Sequence, residues 1–512
     1  QPIINEEAVP QDPGQDEVRA KVRRLFAETL ELPLDQVTDE AHFINDLGGD
    51  SLQVLSVSLK VEEIFSVLIP VEEYALCTSV NALTDIVTSY LKGGSGSAKD
   101  APRGDTLPIT RFEDSPEFQA FAQREQALMG AGQENPYFIR HDSALKDVSL
   151  MDGKETLNFG SYNYVGMSGR KEVQEAARAA IDKYGTSASG SRLLAGEKTL
   201  YQELESEIAR WKHTEDALVL VSGHATNVTF VGNFCGKNDL ILYDALAHNS
   251  IDQGCRLSEA TVKPFPHDDP VALESILKTQ RGKFEKVLII IEGAYSMDGD
   301  IANVPAFVKL KKQYGCFLLV DEAHSACVIG ETGGGVDEYF GLAQGDVDIK
   351  MGTLSKGLGT CGGYLAGSRN LITFLRYNLP GFVFSVGISP PLAAGTLKAV
   401  QLLRSDKSII QSLHANIETF VREAHKRNLN TCLAGETAII PILVGGDENA
   451  FLLSNLLRHR GVFVPPAVFP AVPKGKARLR FCVVSDHKEE QIIKALDTLM
   501  EAAQEAGIKL PA

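Results

Sequence analysis

The stretch CFLLVDEAH at residues 316–324 decides the fold of this chain. Five apolar residues, a pattern typical of a strand that is buried on both faces of a sheet, lead directly into Asp321 and Glu322. The stretch MGTLSKGLG follows at residues 351–359 and places Lys356 among small residues just after another apolar run. Because ligands of open α/β sheets bind at the carboxyl ends of the strands, we expect Asp321 and Lys356 to share one site.

The two side chains at this site have complementary chemistry. A lysine amine can bind the aldehyde of pyridoxal phosphate covalently, and a neighbouring carboxylate can keep the cofactor's ring nitrogen protonated, so that the ring accepts electrons. The pair Lys356 and Asp321 therefore predicts a pyridoxal phosphate site.

Composition limits the classes of protein to which the chain can belong. With 512 residues, 44% of them hydrophobic and 23% charged, it has the composition of an ordinary globular protein of two to four domains. The net charge of -17 argues against a nucleic-acid partner, since phosphate binding needs clustered Lys and Arg. No apolar run approaches the length of a membrane span, and the eight cysteines form no disulfide or metal-binding pattern. We expect a cytoplasmic protein with no membrane partner and no metal.

The composition changes once along the chain, in the stretch GGSGSAKDAPRGD at residues 93–105. This stretch has no apolar periodicity and is typical of a flexible linker. We predict a small module at residues 15–92, a linker at 93–114, a large catalytic domain at 115–395 and a small domain at 396–512.

The small module has apolar residues at helical spacing in three segments, residues 18–30, 52–65 and 80–91, which predicts an all-α bundle. The stretch DLGGDSL at residues 46–52 places Ser51 after an acid at a helix start. Taken alone, such a serine is an ordinary N-cap. With the surrounding bundle, the sequence resembles an acyl carrier protein. The resemblance implies a four-helix carrier domain that bears 4'-phosphopantetheine on Ser51, with Asp50 on its recognition surface.

The rest of the chain alternates short apolar runs with stretches of helical spacing, such as residues 304–314. The runs at residues 217–221, 240–243, 287–291, 317–320 and 347–350 predict a mostly parallel sheet with helices on both faces. A long helix near residues 392–403 would lead to a small α+β domain, with strands at residues 438–444 and 477–483. The fold class expected is α/β.

Three polar motifs follow strands of this predicted sheet. SGHATN at residues 222–227 opens a helix whose backbone amides could bind a phosphate. AHNS at residues 247–250 contains His248, which could stack on a flat cofactor. EGAYSMDGD at residues 292–300 supplies an acid and a hydroxyl. Each motif could be structural by itself, but the ordered series points to one active site.

With these motifs, residues 115–505 resemble the α-oxoamine synthases, fold-type I pyridoxal phosphate enzymes that include serine palmitoyltransferase and 8-amino-7-oxononanoate synthase. The resemblance implies Lys356 as the lysine that binds the cofactor, Asp321 as the partner of its ring nitrogen and His248 as the stacking residue. It implies further contacts to the phosphate, the phenolic oxygen and the substrates, which we assign to Gly223, His224, Thr353, Ser385, His324, Ser296, Arg480 and Asn163.

The resemblance also implies a role for several of these residues. Lys356, His248, Asp321 and His324 are the expected catalytic residues. Arg480 would hold the amino-acid carboxylate, with Asn163 and Ser296 as further substrate contacts. The family supplies the phosphate contact at Ser385 from a second subunit, so a homodimer is implied. The sequence departs from the family at His224, where Phe or Tyr is usual.

The resemblance implies a decarboxylating Claisen condensation, in which an amino acid and an acyl thioester give an α-aminoketone and CO2. Because a carrier domain is fused to the chain, we expect the acyl group to arrive on the phosphopantetheine of Ser51. The expected partners include a phosphopantetheinyl transferase and an enzyme that loads the acyl group, as in polyketide-like biosynthesis.

Two other functions remain open at this point. Fold-type I enzymes support many reactions, so an aminotransferase or a decarboxylase acting on a carrier-bound substrate is an alternative. A scaffold subunit without catalysis is a second alternative, although such a chain would be expected to lack the lysine that binds the cofactor.

Overall fold

The computed structural model describes residues 14–44, 46–49, 51–67, 69, 79–91, 109–130 and 134–512. The chain forms two compact units, one of residues up to Gln119 with Thr261–Leu273, and one of Ala120–Ala260 with Glu274–Ala512. Among the described residues, no helix is both long enough and apolar enough to cross a membrane.

The N-terminal module is helical, as predicted. Its described helices are α1 (Gln15–Leu30), α2 (Ser51–Phe65) and α3 (Val80–Leu91). Their apolar faces meet in one core that includes Val22, Val61 and Val87, all completely buried. A four-helix domain is predicted, and the described residues contain these three helices; residues 70–78 lie outside the described residues.

The loop before α2 is a tight turn. Phe43 packs edge-on against Phe26 of α1, with ring centroids 4.7 Å apart. A Cβ on Gly49 would lie 2.4 Å from the Phe43 ring. Any side chain at position 49 would therefore collide with this ring. Gly48 has φ +76°, a conformation that glycine adopts without strain. Ser51 is the first residue of α2, and Asp50 lies outside the described residues.

The elements of the remaining chain alternate as the sequence predicts. The strands are β1 (Val148–Met151), β2 (Lys154–Asn158), β3 (Asp216–Leu220), β4 (Leu240–Asp244), β5 (Thr261–Phe265), β6 (Val287–Glu292), β7 (Phe317–Asp321), β8 (Ile349–Thr353), β9 (Gly363–Gly367), β10 (Ile439–Gly445), β11 (Val462–Phe463), β12 (Pro466–Ala467) and β13 (Ala477–Cys482). The helices are α4 (Pro116–Gly130), α5 (Lys171–Tyr184), α6 (Thr199–Trp211), α7 (Gly223–Phe234), α8 (Asn249–Leu257), α9 (Pro270–Gln280), α10 (Val304–Tyr314), α11 (Val336–Phe340), α12 (Arg369–Asn378), α13 (Pro380–Val383), α14 (Pro390–Ser405), α15 (Ser408–Lys426), α16 (Asp447–His459) and α17 (Glu489–Glu505).

The main sheet positions the site. Six of its strands follow one another in the order β3-β9-β8-β7-β6-β4. The pairs β4–β6, β6–β7 and β7–β8 are parallel, and β9 runs antiparallel to both β3 and β8. Every residue of β4 and β6 is buried, which explains their nearly continuous apolar sequences. The predicted α/β fold is confirmed. The strand predicted at residues 347–350 begins two residues later, at Ile349.

Two smaller sheets complete this region. The first has the order β10-β13-β12, with antiparallel pairing throughout, and contains both strands predicted near the C-terminus. The second has the order β1-β2-β11, in which β11 pairs parallel to β2. Strand β2 lies before the predicted domain boundary at residue 395 and β11 lies after it. The pairing therefore joins residues that the prediction assigns to separate domains.

Candidate active site

The carboxyl ends of three neighbouring strands carry the central polar side chains of the site. Glu292 and Asp321 end β6 and β7 and are register partners in the sheet. Thr353 ends β8, and Lys356 follows three residues later. A cavity of about 240 Å³ lies at this edge. Seven of the predicted residues line it, namely Gly223, His224, His248, Asp321, His324, Thr353 and Lys356.

Hydrogen bonds fix the carboxylate of Asp321. Its Oδ2 atom accepts a hydrogen bond of 2.7 Å from Nδ2 of Asn227, and its Oδ1 atom accepts one of 2.9 Å from the backbone N–H of Ala323. Asn227 also contacts the hydroxyl of Ser250, at 2.9 Å. Because Asp321 is only 3% exposed, it presents a negative charge with a defined orientation to the cavity.

The amine of Lys356 belongs to a hydrogen-bonded chain of three side chains. Its Nζ atom lies 2.9 Å from Nε2 of His324, whose Nδ1 atom lies 2.8 Å from the hydroxyl of Tyr164. Burial lowers the pKa of Lys356 to about 8, against the opposite effect of Asp321 and Glu292. Burial also lowers the pKa of His324 well below its ordinary value. Burial therefore makes the unprotonated amine of Lys356 more accessible near neutral pH than that of an exposed lysine.

Glu292 and His248 form the side of the cavity next to Asp321. Glu292 accepts a hydrogen bond from the backbone N–H of His248. Burial, together with the charge of Asp321, raises the pKa of Glu292 well above its ordinary value. The ring of His248 is held by Ser250, whose hydroxyl lies 2.7 Å from Nδ1, and it lies edge-on to the ring of His224, with centroids 6.3 Å apart.

The first turn of α7 and the loop after β8 also line the cavity. Ser222 caps α7 by accepting a hydrogen bond of 3.3 Å from the N–H of Ala225. Gly223 approaches Thr353 so closely that a Cβ on the glycine would lie 2.8 Å from the Thr353 hydroxyl. The Thr353 hydroxyl also lies 2.7 Å from that of Ser355. Helix amides and hydroxyls are suitable ligands for a phosphate group.

The other predicted contacts lie outside the set of residues that lines this cavity. Arg480 donates a hydrogen bond of 2.6 Å from Nε to the carbonyl of Ser296, and its guanidinium lies 5.0 Å from the ring centre of Tyr162. The same ring lies 5.9 Å from the Lys356 amine, which brings Arg480 near the site. Asn163 is bound to the carbonyl of Leu145, at 2.9 Å.

Ser385 is the remaining predicted contact. Its hydroxyl contacts only the neighbouring Val386 carbonyl among the hydrogen bonds of the described residues, at 3.3 Å. Its expected role depends on a second subunit.

Sequence reasoning missed three polar partners that line or support the site. Asn227 and Ser250 hold Asp321 and His248, and Tyr164 holds His324. Asn227 and Ser250 lie within the motifs at residues 222–227 and 247–250, but no role could be assigned to any of the three because each contact depends on tertiary packing. For Asn227 and Ser250 the available signal was a polar residue on the buried face of α7 or α8.

The residues present fit pyridoxal phosphate. The partly unprotonated amine of Lys356 suits the aldehyde of that cofactor, and the buried carboxylate of Asp321 suits its ring nitrogen. Gly223 leaves room beside two hydroxyls, which suits the phosphate. No group of three or more His, Cys, Asp or Glu side chains in the described parts of the chain could hold a metal ion.

Comparison with known proteins identifies the family. A model of the family described as aminotransferase class I and II matches residues 154–499. The chain belongs to this family. A second model, described as a phosphopantetheine attachment site, matches residues 20–87, so the chain also has an N-terminal carrier domain.

Similar proteins place the chain within the family. It is 37% identical to the 8-amino-7-oxononanoate synthase of Thermoanaerobacter pseudethanolicus, over 71% of this chain and 90% of the relative. It is 36% identical to the serine palmitoyltransferase of Bacteriovorax stolpii, over 68% of this chain and 83% of that one. A solved serine palmitoyltransferase with its pyridoxal phosphate internal aldimine matches with a TM-score of 0.73 and 28% identity, over 77% of this chain and 99% of that structure.

These matches show that the enzyme is an α-oxoamine synthase, a pyridoxal phosphate-dependent acyltransferase of fold type I. Its cofactors are pyridoxal 5'-phosphate in the catalytic region and 4'-phosphopantetheine in the carrier domain. The resemblance predicted from the sequence is confirmed.

Proposed function

We propose that this α-oxoamine synthase condenses an amino acid with an acyl thioester carried on its own carrier domain, releasing CO2 and forming an α-aminoketone. The observation that carries this proposal is the presence, in one chain, of a phosphopantetheine attachment domain and a catalytic region of the synthase family. Transamination or plain decarboxylation of a carrier-bound substrate would also use the carrier, but the similarity to 8-amino-7-oxononanoate synthase and serine palmitoyltransferase favours the condensation.

Pyridoxal phosphate, when bound, supplies an electron sink that makes removal of the amino acid's Cα proton possible. Lys356 would bind the cofactor, and Asp321 would accept a hydrogen bond from its ring nitrogen and keep that nitrogen protonated. His248 would stack on the ring, and His324 would contact the phenolic oxygen. Gly223, His224 and Thr353 would hold the phosphate, with Ser385 contributed by the second subunit of a homodimer.

Lys356 is the proposed general base for the Cα proton. A base must be unprotonated to act, and burial lowers the pKa of this amine to about 8. The fraction of free amine therefore rises as the pH increases through about 8. His324, at 2.9 Å, holds the amine in place between proton transfers.

Arg480 is the proposed binding partner for the amino-acid carboxylate. It is 5% exposed, and its Nε atom is already bound to the Ser296 carbonyl, which fixes the plane of the guanidinium. Two parallel hydrogen bonds from a guanidinium suit a carboxylate. Ser296 and Asn163 are proposed as further contacts to the substrates.

The carrier domain would deliver the acyl group. Ser51 begins α2, where an attached phosphodiester is favoured by the helix N-terminus. The linker predicted at residues 93–114, of which residues 93–108 lie outside the described residues, would span roughly 25 Å if it behaved as a flexible chain of about 20 residues. It keeps the thioester at a local concentration of about a millimolar, so tight binding of a free donor is unnecessary. The proposed partners are a phosphopantetheinyl transferase, which would modify Ser51, and an acyl-loading enzyme, and we propose a cytoplasmic location.

The test uses phosphopantetheinylated full-length protein that has been loaded with acyl groups and challenged with one amino acid at a time. Intact-protein mass should show loss of the acyl group from Ser51, with release of CO2, for one amino acid or a few. Ser51→Ala should react far more slowly with acyl-coenzyme A than the loaded wild type reacts with its amino acid. Equal turnover of acyl-coenzyme A by wild type and Ser51→Ala, with no unloading of the carrier, would contradict the tethered donor.

A further inference from the structure

Glu292 is a buried acid in the cavity to which the proposed function gives no role. It ends β6, is 3% exposed and lines the cavity beside Asp321, its register partner on β7. Because the removal of a carboxyl group from water costs free energy, an acid at such a position requires a compensating partner. Two roles are open to it, as a charge beside Asp321 or as a hydrogen-bond acceptor for a group that must be held in place.

The acceptor role has a direct contact. Oε1 of Glu292 accepts a hydrogen bond of 2.5 Å from the backbone N–H of His248. Strands β4 and β6 are parallel neighbours, with Tyr243 paired to Ile290, so the end of β6 lies next to the turn that leads from β4 to His248. The glutamate therefore reaches the backbone of this turn from the neighbouring strand.

The other hydrogen bonds of His248 are local. Its Nδ1 atom lies 2.7 Å from the Ser250 hydroxyl and accepts from the Ser250 N–H, and its carbonyl accepts from the N–H of Ile251, at 2.8 Å. These contacts fix the conformation of the first turn of α8, not its position on the sheet. Among the hydrogen bonds of the described residues, the one that ties His248 to a distant element comes from Glu292, 44 residues along the chain.

We propose that Glu292 is a positioning residue that holds the backbone of His248 at the end of β6 and thereby sets where the imidazole ring lies over the cavity. This inference rests on the stacking role proposed for His248. Glu292 acts on cofactor binding through that histidine and needs no contact with a substrate.

Two conservative variants separate this role from that of a charge beside Asp321. Glu292→Gln removes the charge but keeps an oxygen at the same reach, and an amide oxygen accepts a hydrogen bond as a carboxylate oxygen does. Glu292→Asp keeps the acid but is one methylene shorter, which takes its oxygens away from the His248 N–H. Positioning predicts that the Gln variant resembles the wild type and that the Asp variant is impaired, whereas a charge role predicts the reverse.

Hydrogen exchange measures the proposed hydrogen bond directly. The full-length chain, freed of cofactor, is followed by hydrogen–deuterium exchange and mass spectrometry in peptides that contain the His248 amide. Glu292→Gln should exchange at the wild-type rate, and Glu292→Asp about fivefold faster, the factor expected for one net hydrogen bond. Fast exchange in the Gln variant, or wild-type protection in the Asp variant, would overturn the proposal.

Cofactor affinity tests whether Glu292 acts through His248. The Kd for pyridoxal phosphate, from fluorescence titration, should rise about fivefold in Glu292→Asp and stay near the wild-type value in Glu292→Gln. In a His248→Ala background, Glu292→Asp should cause no further change, because the ring that it positions is gone. An unchanged Kd in Glu292→Asp, or a fivefold rise that persists in the His248→Ala background, would overturn the positioning role.

The matched control is Glu338→Asp. Glu338 also accepts hydrogen bonds from backbone N–H groups, those of Thr332 and Gly334 at 3.0 and 2.8 Å, but it lies outside the set of residues that lines the cavity. This variant should speed exchange only near residues 332–334 and leave the Kd unchanged. An equal loss of affinity in this variant would show that the effect is not specific to His248, and would also overturn the proposal.

These readouts separate the inference from the proposed function. Neither uses an amino acid or a thioester, so failure of the condensation would leave both unchanged. An unchanged Kd in His248→Ala alone would contradict the stacking role, while the exchange rates would still decide whether Glu292 holds the His248 backbone.

Discussion

Nδ2 of Asn227 lies 2.7 Å from Oδ2 of Asp321, and this contact orients the carboxylate that ends β7. The same amide nitrogen lies 2.9 Å from the Ser250 hydroxyl, which in turn contacts the ring of His248. One asparagine on α7 therefore connects the proposed partner of the ring nitrogen with the proposed stacking residue.

Removal of this amide should weaken cofactor binding. Asn227→Ala leaves the buried Asp321 carboxylate without one of its two hydrogen-bond donors among the described residues. A hydrogen bond to a charged group contributes about 1.5–3 kcal/mol, so the Kd for pyridoxal phosphate should rise about 10-fold to 100-fold. Asn233→Ala, on the exposed side of the same helix, is the control. Fluorescence titration measures both, and equal Kd values for the two variants would contradict the role of Asn227.

The close approach of Gly223 to Thr353 gives a prediction specific to the phosphate. In Gly223→Ala the new Cβ would lie 2.8 Å from the Thr353 hydroxyl and would displace it. Affinity for pyridoxal phosphate should fall about tenfold, as expected for a lost charge-assisted hydrogen bond, whereas affinity for pyridoxal, which has no phosphate, should hardly change. Gly236→Ala is the control, because its Cβ would have no atom nearer than 4.0 Å. An equal loss for both ligands would show that the alanine disturbs the whole cavity.

The segment that carries Ser296 is held by a second arginine of β13. Arg478 donates from Nη1 to the Met297 carbonyl, at 3.0 Å, and to the carboxylate of Asp298, at 2.5 Å. Since the Ser296 carbonyl positions Arg480, Arg478→Lys should raise KM for the amino acid about threefold to tenfold, with a smaller change in kcat.

The matched control is Arg422→Lys, which changes a half-exposed arginine paired with Glu423 and Glu489 and should leave KM unchanged. Steady-state kinetics with a saturating acyl donor decides between the outcomes. An unchanged KM in Arg478→Lys would show that the Ser296 segment keeps its position without this pair.

The sequence predicted the main sheet well where strands are buried on both faces. The runs that became β4, β6 and β7 are continuous and apolar because helices cover both faces of the sheet. The sequence did not predict β9 or β5. The sequence of β9, GYLAG, contains two glycines, and that of β5, TVKPF, contains Lys and Pro, residues that are uncommon inside strands.

Part of the candidate site could likewise be predicted from the sequence, and part could not. Residues that follow strands, such as Asp321 and Lys356, could be predicted to share an edge of the sheet because topology alone brings them together. The hydrogen bonds of Tyr164 and Asn227 span 160 and 94 residues along the chain, and they depend on packing that no local pattern encodes.

His487 should make the catalytic region sensitive to acid. It is buried, and burial lowers its pKa to about 4, whereas an unfolded histidine titrates near 6.5. Because the unfolded chain binds the proton first, stability is lost as the pH falls from about 6.5 towards 4. The loss at pH 4.5 relative to pH 7.5 should be about 2–3 kcal/mol from this residue.

The measurement is urea unfolding of the catalytic region at the two pH values. His487→Gln can still accept from the Val484 N–H and donate to the Asn158 carbonyl, so it should remove most of this acid-dependent loss. His213→Gln, at an exposed position, should retain the loss in full. If His487→Gln loses as much stability in acid as the wild type, other groups control the acid response.

Attachment of the cofactor to Lys356 is the claim on which the proposed chemistry depends, and borohydride trapping tests it most directly. Wild-type protein is incubated with pyridoxal phosphate, reduced, digested and analysed by peptide mass spectrometry, with Asp321→Asn treated in parallel. We predict one pyridoxyl phosphate adduct per chain, located on Lys356, with markedly lower occupancy in Asp321→Asn at limiting cofactor. A saturable adduct on another lysine, or normal cofactor binding by Lys356→Ala with full catalytic activity, would contradict the account.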